Sequence, residues 1–261
     1  MMNHLLNENC LIGMNNIPDS TISLIICDLP FGVTDCKWDI KLDLQELWEC
    51  YKRILKPNGC VLLFGVGVFF AEVVLSNKEW FKYDIVWEKE RPTNIFLLKK
   101  RIGMVHEHIA VFYDKQPTYN PIMEKRIFNT IGVFGKNKIS RTHKNQDYKY
   151  SKDYDNSVIY PRSVLKFNRD TLKGAIHETQ KPIKLLKYLI ETFSNKDDII
   201  LDNCMGSGST IIAAIQSDRN YIGFEIDSYL FDLAKERIDR EIELKKNFFV
   251  SKKPKIINKN F

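Results

Sequence analysis

No run of about 18 consecutive apolar residues occurs anywhere in the chain, so no membrane-spanning helix is expected. The opening MMNHLLNENC lacks a basic start followed by an apolar stretch, and no secretory leader is expected. Cysteine is sparse. The six residues at 10, 27, 36, 50, 60 and 204 never form a Cys-x-x-Cys pair. That pattern argues against a zinc ribbon or a disulfide framework and for free thiols in a reducing cytoplasm. His106, His108, His143 and His177 show no metal-ligand spacing, so no metal is expected. Residues 245–261 contain six lysines and no acid, which reads as a solvated tail.

Positive charge is unevenly spread. Residues 125–173 hold 12 Lys and Arg against 4 Asp, a net +8. The whole chain carries +6, so the remainder sums to −2. A concentrated basic segment suits a polyanion, although lysines also simply solvate surfaces.

The 261 residues suffice for one large α/β domain with an insert. A strand is expected at Ser23–Cys27, after the turn-like NIPDST. Apolar residues at 44, 47, 48, 51, 54 and 55 predict a helix over 44–55, stopped by KPNG. CVLLF, YDIVWEK and HIAVFYD read as strands and FFAEVVLSN as a helix. Periodicity then fails between about 117 and 176, too long for an ordinary loop. Order returns with the helix KPIKLLKYLIETF, the strand DIILD, the helix GSTIIAAIQS, the strand YIGFE and the helix YLFDLAKERIDREIEL. Such alternation predicts an α/β fold with a mostly parallel sheet covered by helices.

Residues 199–210 read IILDNCMGSGST: a strand ending on Asp202, a Gly-x-Gly loop, then a helix start. Glycine lets a backbone turn sharply beside a ligand. The next strand ends on Glu225, 17 residues past Gly208, near the spacing of an acid that binds ribose hydroxyls. The third glycine of a dinucleotide fingerprint and the lysine of a P-loop are both missing. A nucleoside without a pyrophosphate, such as S-adenosylmethionine, therefore fits better than NAD or ATP. LLFGVGVFF at 62–70 offers a rival Gly-x-Gly, but Val68, Phe69 and Phe70 crowd the place where a ligand would lie.

A second stretch, CDLPFG at 27–32, ends an apolar strand on an acid, a proline and an aromatic. With DNCMGSGST it resembles the β-class DNA amino-methyltransferases, which join an Asp/Asn/Ser-Pro-Pro-aromatic motif to a glycine loop for S-adenosylmethionine. CKWD, KYDIVWEKERPTN, HEHIAVFY and HETQKPIKLL look like further family segments. The order, with the catalytic motif first, the basic region second and the cofactor loop last, is that of the β class. Leu29 departs from the usual proline, and Phe31 from the more frequent tyrosine.

The resemblance implies a circularly permuted, Rossmann-like methyltransferase fold. Its parts would be a catalytic half over 1–116, a target-recognition insert over 117–176, a cofactor half over 177–246 and a basic tail over 247–261. The implied function is methyl transfer to the N6 amine of adenine in DNA, with the base flipped out. Cytosine N4 is the alternative; RNA, protein glutamine or an inactive DNA-binding relic are remoter ones. Asp28, Leu29, Pro30 and Phe31 would be catalytic. Asp28, Thr179, Lys181, Asp202, Asn203, Cys204, Met205, Gly206, Ser207, Gly208, Ser209, Thr210, Glu225, Ile226 and Asp227 would bind cofactor. For Lys181, a surface charge at a helix start weighs equally. Lys136, Lys138, Arg141, Lys144 and Arg162 would contact DNA. Double-stranded DNA is the implied partner; a homodimer and a cognate restriction endonuclease are compatible, in the cytoplasm of a prokaryote or phage-infected cell and associated with the nucleoid.

Overall fold

The computed structural model describes residues 3–32, 41–125, 157–170 and 180–251, with side chains up to residue 247. It divides into two compact units, Met1–Asn120 with Ser163–Phe261, and Pro121–Arg162. The second unit contains a two-stranded antiparallel ribbon of β6 (Glu124–Lys125) and β7 (Val158–Ile159).

The first unit is built on eight strands: β1 (His4–Leu6), β2 (Ile22–Cys27), β3 (Leu55–Gly65), β4 (Phe81–Glu88), β5 (His106–Phe112), β8 (Val164–Lys166), β9 (Ile199–Asp202) and β10 (Asn220–Phe224). Their order is β1-β10-β9-β2-β3-β5-β4-β8. Only β5 runs against its neighbours. All six residues of β2 are buried, as a central strand covered on both faces requires.

Successive residues of β2 point to opposite faces. Leu24 and Ile26 enter one core, with residues of helices α4 (Ile183–Phe193), α5 (Ser209–Gln216) and α6 (Ser228–Ser251). Ile25 and Cys27 enter the other, beneath α1 (Cys10–Gly13), α2 (Leu44–Ile54) and α3 (Gly67–Ser76). Helix α2 starts where Asp43 accepts hydrogen bonds from Gln45 N at 2.8 Å and Glu46 N at 3.1 Å. Its buried Leu47, Tyr51 and Ile54 recur at helical spacing.

The KPNG segment lies within β3 instead of before it. Ile22 pairs with Leu55 and Leu24 with Cys60, so the register shift absorbs the turn-forming residues as a bulge.

One topological fact positions the site. From β9 the chain crosses through α5 to β10, on one side of the sheet. From β2 it crosses through α2 to β3, on the other side. Strands β2 and β9 are adjacent and parallel. Their connections diverge, which opens a crevice at their carboxyl ends, where open α/β sheets bind ligands.

Candidate active site

Asp28 follows the last residue of β2 and faces that crevice's edge. Its Oδ2 accepts a 2.5 Å hydrogen bond from Lys181 Nζ. Lys181 is not a surface charge: its side chain is 11% exposed and also reaches Glu107 Oε2 at 3.1 Å. The other Glu107 oxygen takes Lys89 Nζ. Two acids and two lysines thus form one compact, charge-balanced network drawn from β2, β5, the end of β4 and the approach to α4. Burial raises the Asp28 carboxyl above its usual range, with Lys181 opposing and Glu107 adding. Burial alone would lower the Lys181 ammonium, but Asp28 and Glu107 lift it above its ordinary value. Burial would likewise raise Glu107, yet Lys181 and Lys89 bring it below the usual carboxylate value.

The remaining Asp28 oxygen, Oδ1, is buried and has no hydrogen-bond partner among the described residues. A buried acceptor left unpaired costs about 1–3 kcal/mol. Such an atom is a place where a ligand's donor would be gained. Leu29 is 2% exposed and packs in the apolar cluster under α1 to α3. Phe31 is half-buried and stacks on Phe69, with ring centroids 4.4 Å apart. Phe69 comes from the first turn of α3, so the rival glycine loop leads into a helix whose buried ring braces Phe31. Cys27, beside Asp28, is pushed up to about 12 by burial and stays a thiol.

The other bank of the crevice is the glycine loop. Gly208 has φ +75° at the N-cap of α5, and a Cβ there would come within 2.8 Å of Ile238. Gly206 has φ +49° and nothing within 4 Å of where a Cβ would stand. One glycine is required by packing and backbone, the other faces open space. Glu225 Oε2 accepts from Gly206 N and Oε1 from Asp227 N, each at 2.9 Å. Burial raises Glu225. Burial, with a smaller push from Asp28, also raises Asp202 to about 6, although Thr210 and the Cys204 N–H bind it. Asp202, Asn203, Ser207, Ser209 and Thr210 are buried, Met205 lines the core, and Ile226 is exposed.

The geometry therefore gathers Asp28, Lys181, Asp202, the loop 203–210 and Glu225 at neighbouring strand ends. Arg162, 71% exposed, pairs with Glu124 at 3.4 Å within the second unit. Thr179, Lys136, Lys138, Arg141 and Lys144 lie outside the described residues. The sequence reading missed Glu107 and Lys89, although both sat inside quoted family segments. It also missed Arg237, whose Nη1 binds Ser207 O at 2.8 Å and Ser209 Oγ at 3.0 Å, fastening the loop to α6. Tyr51 Oη donates to Asn203 Oδ1 at 2.5 Å from beneath.

The DNA methylase family model for N6 and N4 enzymes matches residues 22–236, from β2 into α6. The chain belongs to this family. The methylase is 44% identical to the type II methyltransferase M2.MboI of Moraxella bovis, over 94% of its own length and 90% of that protein. It is 27% identical to the DNA adenine methyltransferase YhdJ of Escherichia coli, over 90% and 82% of the two chains. Two solved structures share the methylase's fold. The cytosine-N4-specific PvuII DNA methyltransferase has a TM-score of 0.66 at 15% identity, covering 94% of this chain and 92% of that one. The complex of M1.HpyAVI with S-adenosylmethionine has a TM-score of 0.58 at 23% identity, covering 90% and 98%. Among the described residues no cluster suited to a metal ion occurs, and no helix is long and apolar enough to cross a membrane.

Proposed function

We propose that this β-class methylase transfers a methyl group from S-adenosylmethionine to the exocyclic N6 amine of adenine in double-stranded DNA. The observation that carries the reading is the Asp28 carboxylate, with one oxygen held by Lys181 and the other buried and unpaired.

An adenine amine is a poor nucleophile because its lone pair is delocalised into the ring. Two acceptors that take both N–H groups can hold the nitrogen out of conjugation. Asp28 Oδ1 and the Leu29 carbonyl are the pair, and Pro30 fixes their spacing through its locked φ. Lys181 keeps Asp28 from rotating and supplies countercharge, which leaves Oδ1 ready to take up the proton that the amine sheds. Phe31, braced by Phe69, stacks on the base. The base must leave the duplex to arrive there, at a cost of a few kcal/mol. Aromatic stacking offsets about 1–3 kcal/mol of that.

The residues fit S-adenosylmethionine. Two acids without a cationic partner among the described residues, Asp202 and Glu225, line the crevice beside Asp28, which repels a polyphosphate and suits a cationic ligand with ribose hydroxyls. The open side of Gly206 leaves room for close approach. Asp202 and the loop 203–210 would hold the methionine end, with Thr179 and Lys181 beside it. Glu225 would hold the ribose, and Ile226 and Asp227 would flank the adenine. When bound, the cofactor supplies an electrophilic methyl group; the chain's part is alignment, which can lower a barrier by several kcal/mol.

The acid at 28 favours adenine over cytosine, since the cytosine enzymes resembled more often carry serine there. In this reading the basic stretch over 117–176, with Lys136, Lys138, Arg141, Lys144 and Arg162, supplies phosphate contacts and reads the target sequence. Digesting DNA methylated by the purified enzyme to nucleosides tests the reading. N6-methyladenine is expected; N4-methylcytosine in its place would overturn the choice of base.

A further inference from the structure

Among the described residues five cysteines carry free thiols, and three of them meet beneath the glycine loop. They come from three elements: Cys27 from the last position of β2, Cys10 from the first position of α1, and Cys204 from the loop itself. One buried amide joins two of them. Asn203 Nδ2 reaches Cys10 Sγ at 3.7 Å and Cys204 Sγ at 3.5 Å. The Asn203 carbonyl is held in turn by Tyr51. Cys204 also lies within hydrogen-bond reach of the Cys10 and Cys27 thiols.

The three thiols are not equivalent. Cys204 is partly exposed, whereas Cys10 and Cys27 are buried. The hydrogen bond from Cys10 favours the Cys204 thiolate, although Cys27 and burial lift Cys204 well above its ordinary value. The same bond, with burial, raises Cys10. Both therefore stay protonated at neutral pH and react slowly, with Cys204 as the accessible thiol and Cys10 as its sheltered partner. Cys27 ends a strand paired on both sides, which fixes its backbone. Cys10 opens a helix of only four residues, which has more freedom to shift. The backbone of Cys204 is tied to the site. Its N–H donates to Asp202 Oδ1 at 3.2 Å, and the next N–H, of Met205, donates to Phe224 O at 2.8 Å. A displaced Cys204 would disturb the acid placed at the methionine end of the cofactor.

Resting on the reading of this crevice as the cofactor site, we infer that Cys10 and Cys204 are a redox-sensitive modification site, whose oxidation to a disulfide by a peroxide shuts out S-adenosylmethionine. Hydrogen peroxide oxidises Cys204 to a sulfenic acid and departs as water. The Cys10 thiol then attacks that sulfur, a sulfur–sulfur bond forms, and the sulfenic oxygen leaves as a second water. Two thiols give up two electrons and two protons, and the peroxide is reduced to two waters. A disulfide holds its sulfurs about 2 Å apart, well inside hydrogen-bond contact, so the bond must draw α1 and the loop together. A shift of about 1 Å in an aligned site is enough to cost on the order of 100-fold in rate.

The test treats the full-length enzyme with hydrogen peroxide, removes the excess, and maps its peptides by mass spectrometry without reduction. A peptide pair joined through Cys10 and Cys204 is expected. The calorimetric dissociation constant for S-adenosylmethionine should rise at least about tenfold in the oxidised enzyme, the scale of losing one charge-assisted hydrogen bond. Dithiothreitol should restore it. S-adenosylmethionine present during the treatment should slow formation of the linked pair, because the cofactor covers the loop that carries Cys204. Cys10→Ser should bind cofactor within about threefold of the reduced wild type and keep that affinity after peroxide. Absence of the linked pair, a pair joining Cys204 to Cys27 in its place, unchanged affinity in the linked enzyme, or loss of affinity in oxidised Cys10→Ser would each overturn the switch. The peptide map needs neither cofactor nor a variant. A reduced wild type that binds no S-adenosylmethionine would therefore sink the parent reading, while the map on its own still decides whether the two thiols join.

Discussion

The two banks of the crevice both present buried acids, and they treat them oppositely. On the β2 side, Asp28 and Glu107 are matched by Lys181 and Lys89, and the group is neutral without any ligand. On the β9 and β10 side, Asp202 and Glu225 have no cationic partner among the described residues and lean on backbone N–H groups. A neutral bank suits an uncharged guest that needs acceptors, such as a base amine. An acidic bank held by dipoles alone waits for a guest that brings positive charge. Buried carboxylates are costly without partners. The missing cation on the second bank is therefore informative, and it fits an amino acid ammonium or a sulfonium.

Substitutions on each bank break this comparison in different ways. Asp28→Ala should lower methyl transfer on the order of 10³-fold, the scale of losing an aligned electrostatic contact, while calorimetric cofactor affinity stays within a fewfold. Asp202→Asn should do the reverse and weaken cofactor binding about 10- to 100-fold, the value of a charge-assisted hydrogen bond. Equal losses of binding in both variants would dissolve the division between banks. The acidic bank also predicts a pH effect with a definite sign. Asp202 is raised to about 6, so it takes up a proton as pH falls through that value and the bank loses charge. Cofactor affinity in the wild type should then fall about tenfold for each unit below 6, and Asp202→Asn should flatten the profile. The same shift means that ionised Asp202 costs folding stability above about pH 6, and that this cost is relieved on acidification.

Glu107→Gln sharpens the neutral bank. It leaves two buried lysines facing one carboxylate, which should destabilise the fold by about 3 kcal/mol and slow transfer about 10- to 100-fold, without changing the cofactor's dissociation constant. Thermal unfolding and single-turnover kinetics separate the two effects. A purely structural role would lower the melting temperature and leave the single-turnover rate intact. The smallest effect belongs to Leu29→Pro. If only the carbonyl at 29 acts, activity should stay within about threefold, while loss of the buried side chain costs about 1 kcal/mol. A collapse of turnover in folded protein would show that the leucine side chain shapes the acceptor pair.

Much of this site was legible in the sequence because its parts sit at strand ends, where pattern and chemistry change together. IIC runs into Asp28, and IIL into Asp202, and each boundary announces itself. The glycine loop was legible because its backbone demands are written into residue type. What escaped was pairing across the sheet. Glu107 lies in the middle of HEHIAVF, indistinguishable by period from a solvent-facing acid. Only the antiparallel placement of β5 beside β3 and β4 turns it toward Lys181. Lys181 weighed equally as a cofactor contact and as a helix-start charge, since nothing local says that Asp28 lies opposite. The short strands β1 and β8 carry too few residues for any period to show, and they exist only by adding to edges already formed. KPNG was read as a stop between elements because its residues favour turns, and β3 instead carries it as a bulge.

The bond between Asp28 and Lys181 joins residues 153 positions apart. During synthesis Asp28 leaves the ribosome early, and its lysine follows only after the greater part of the chain. Strand β2 waits as well for its neighbour β9, which is made later still. A growing chain can fold its first helices around β2 and β3, but it holds an acid with no countercharge and a sheet with one side missing. The charge network and the central sheet are completed late, so a truncated or stalled product lacks both the lysine that pairs with Asp28 and the strand that flanks β2.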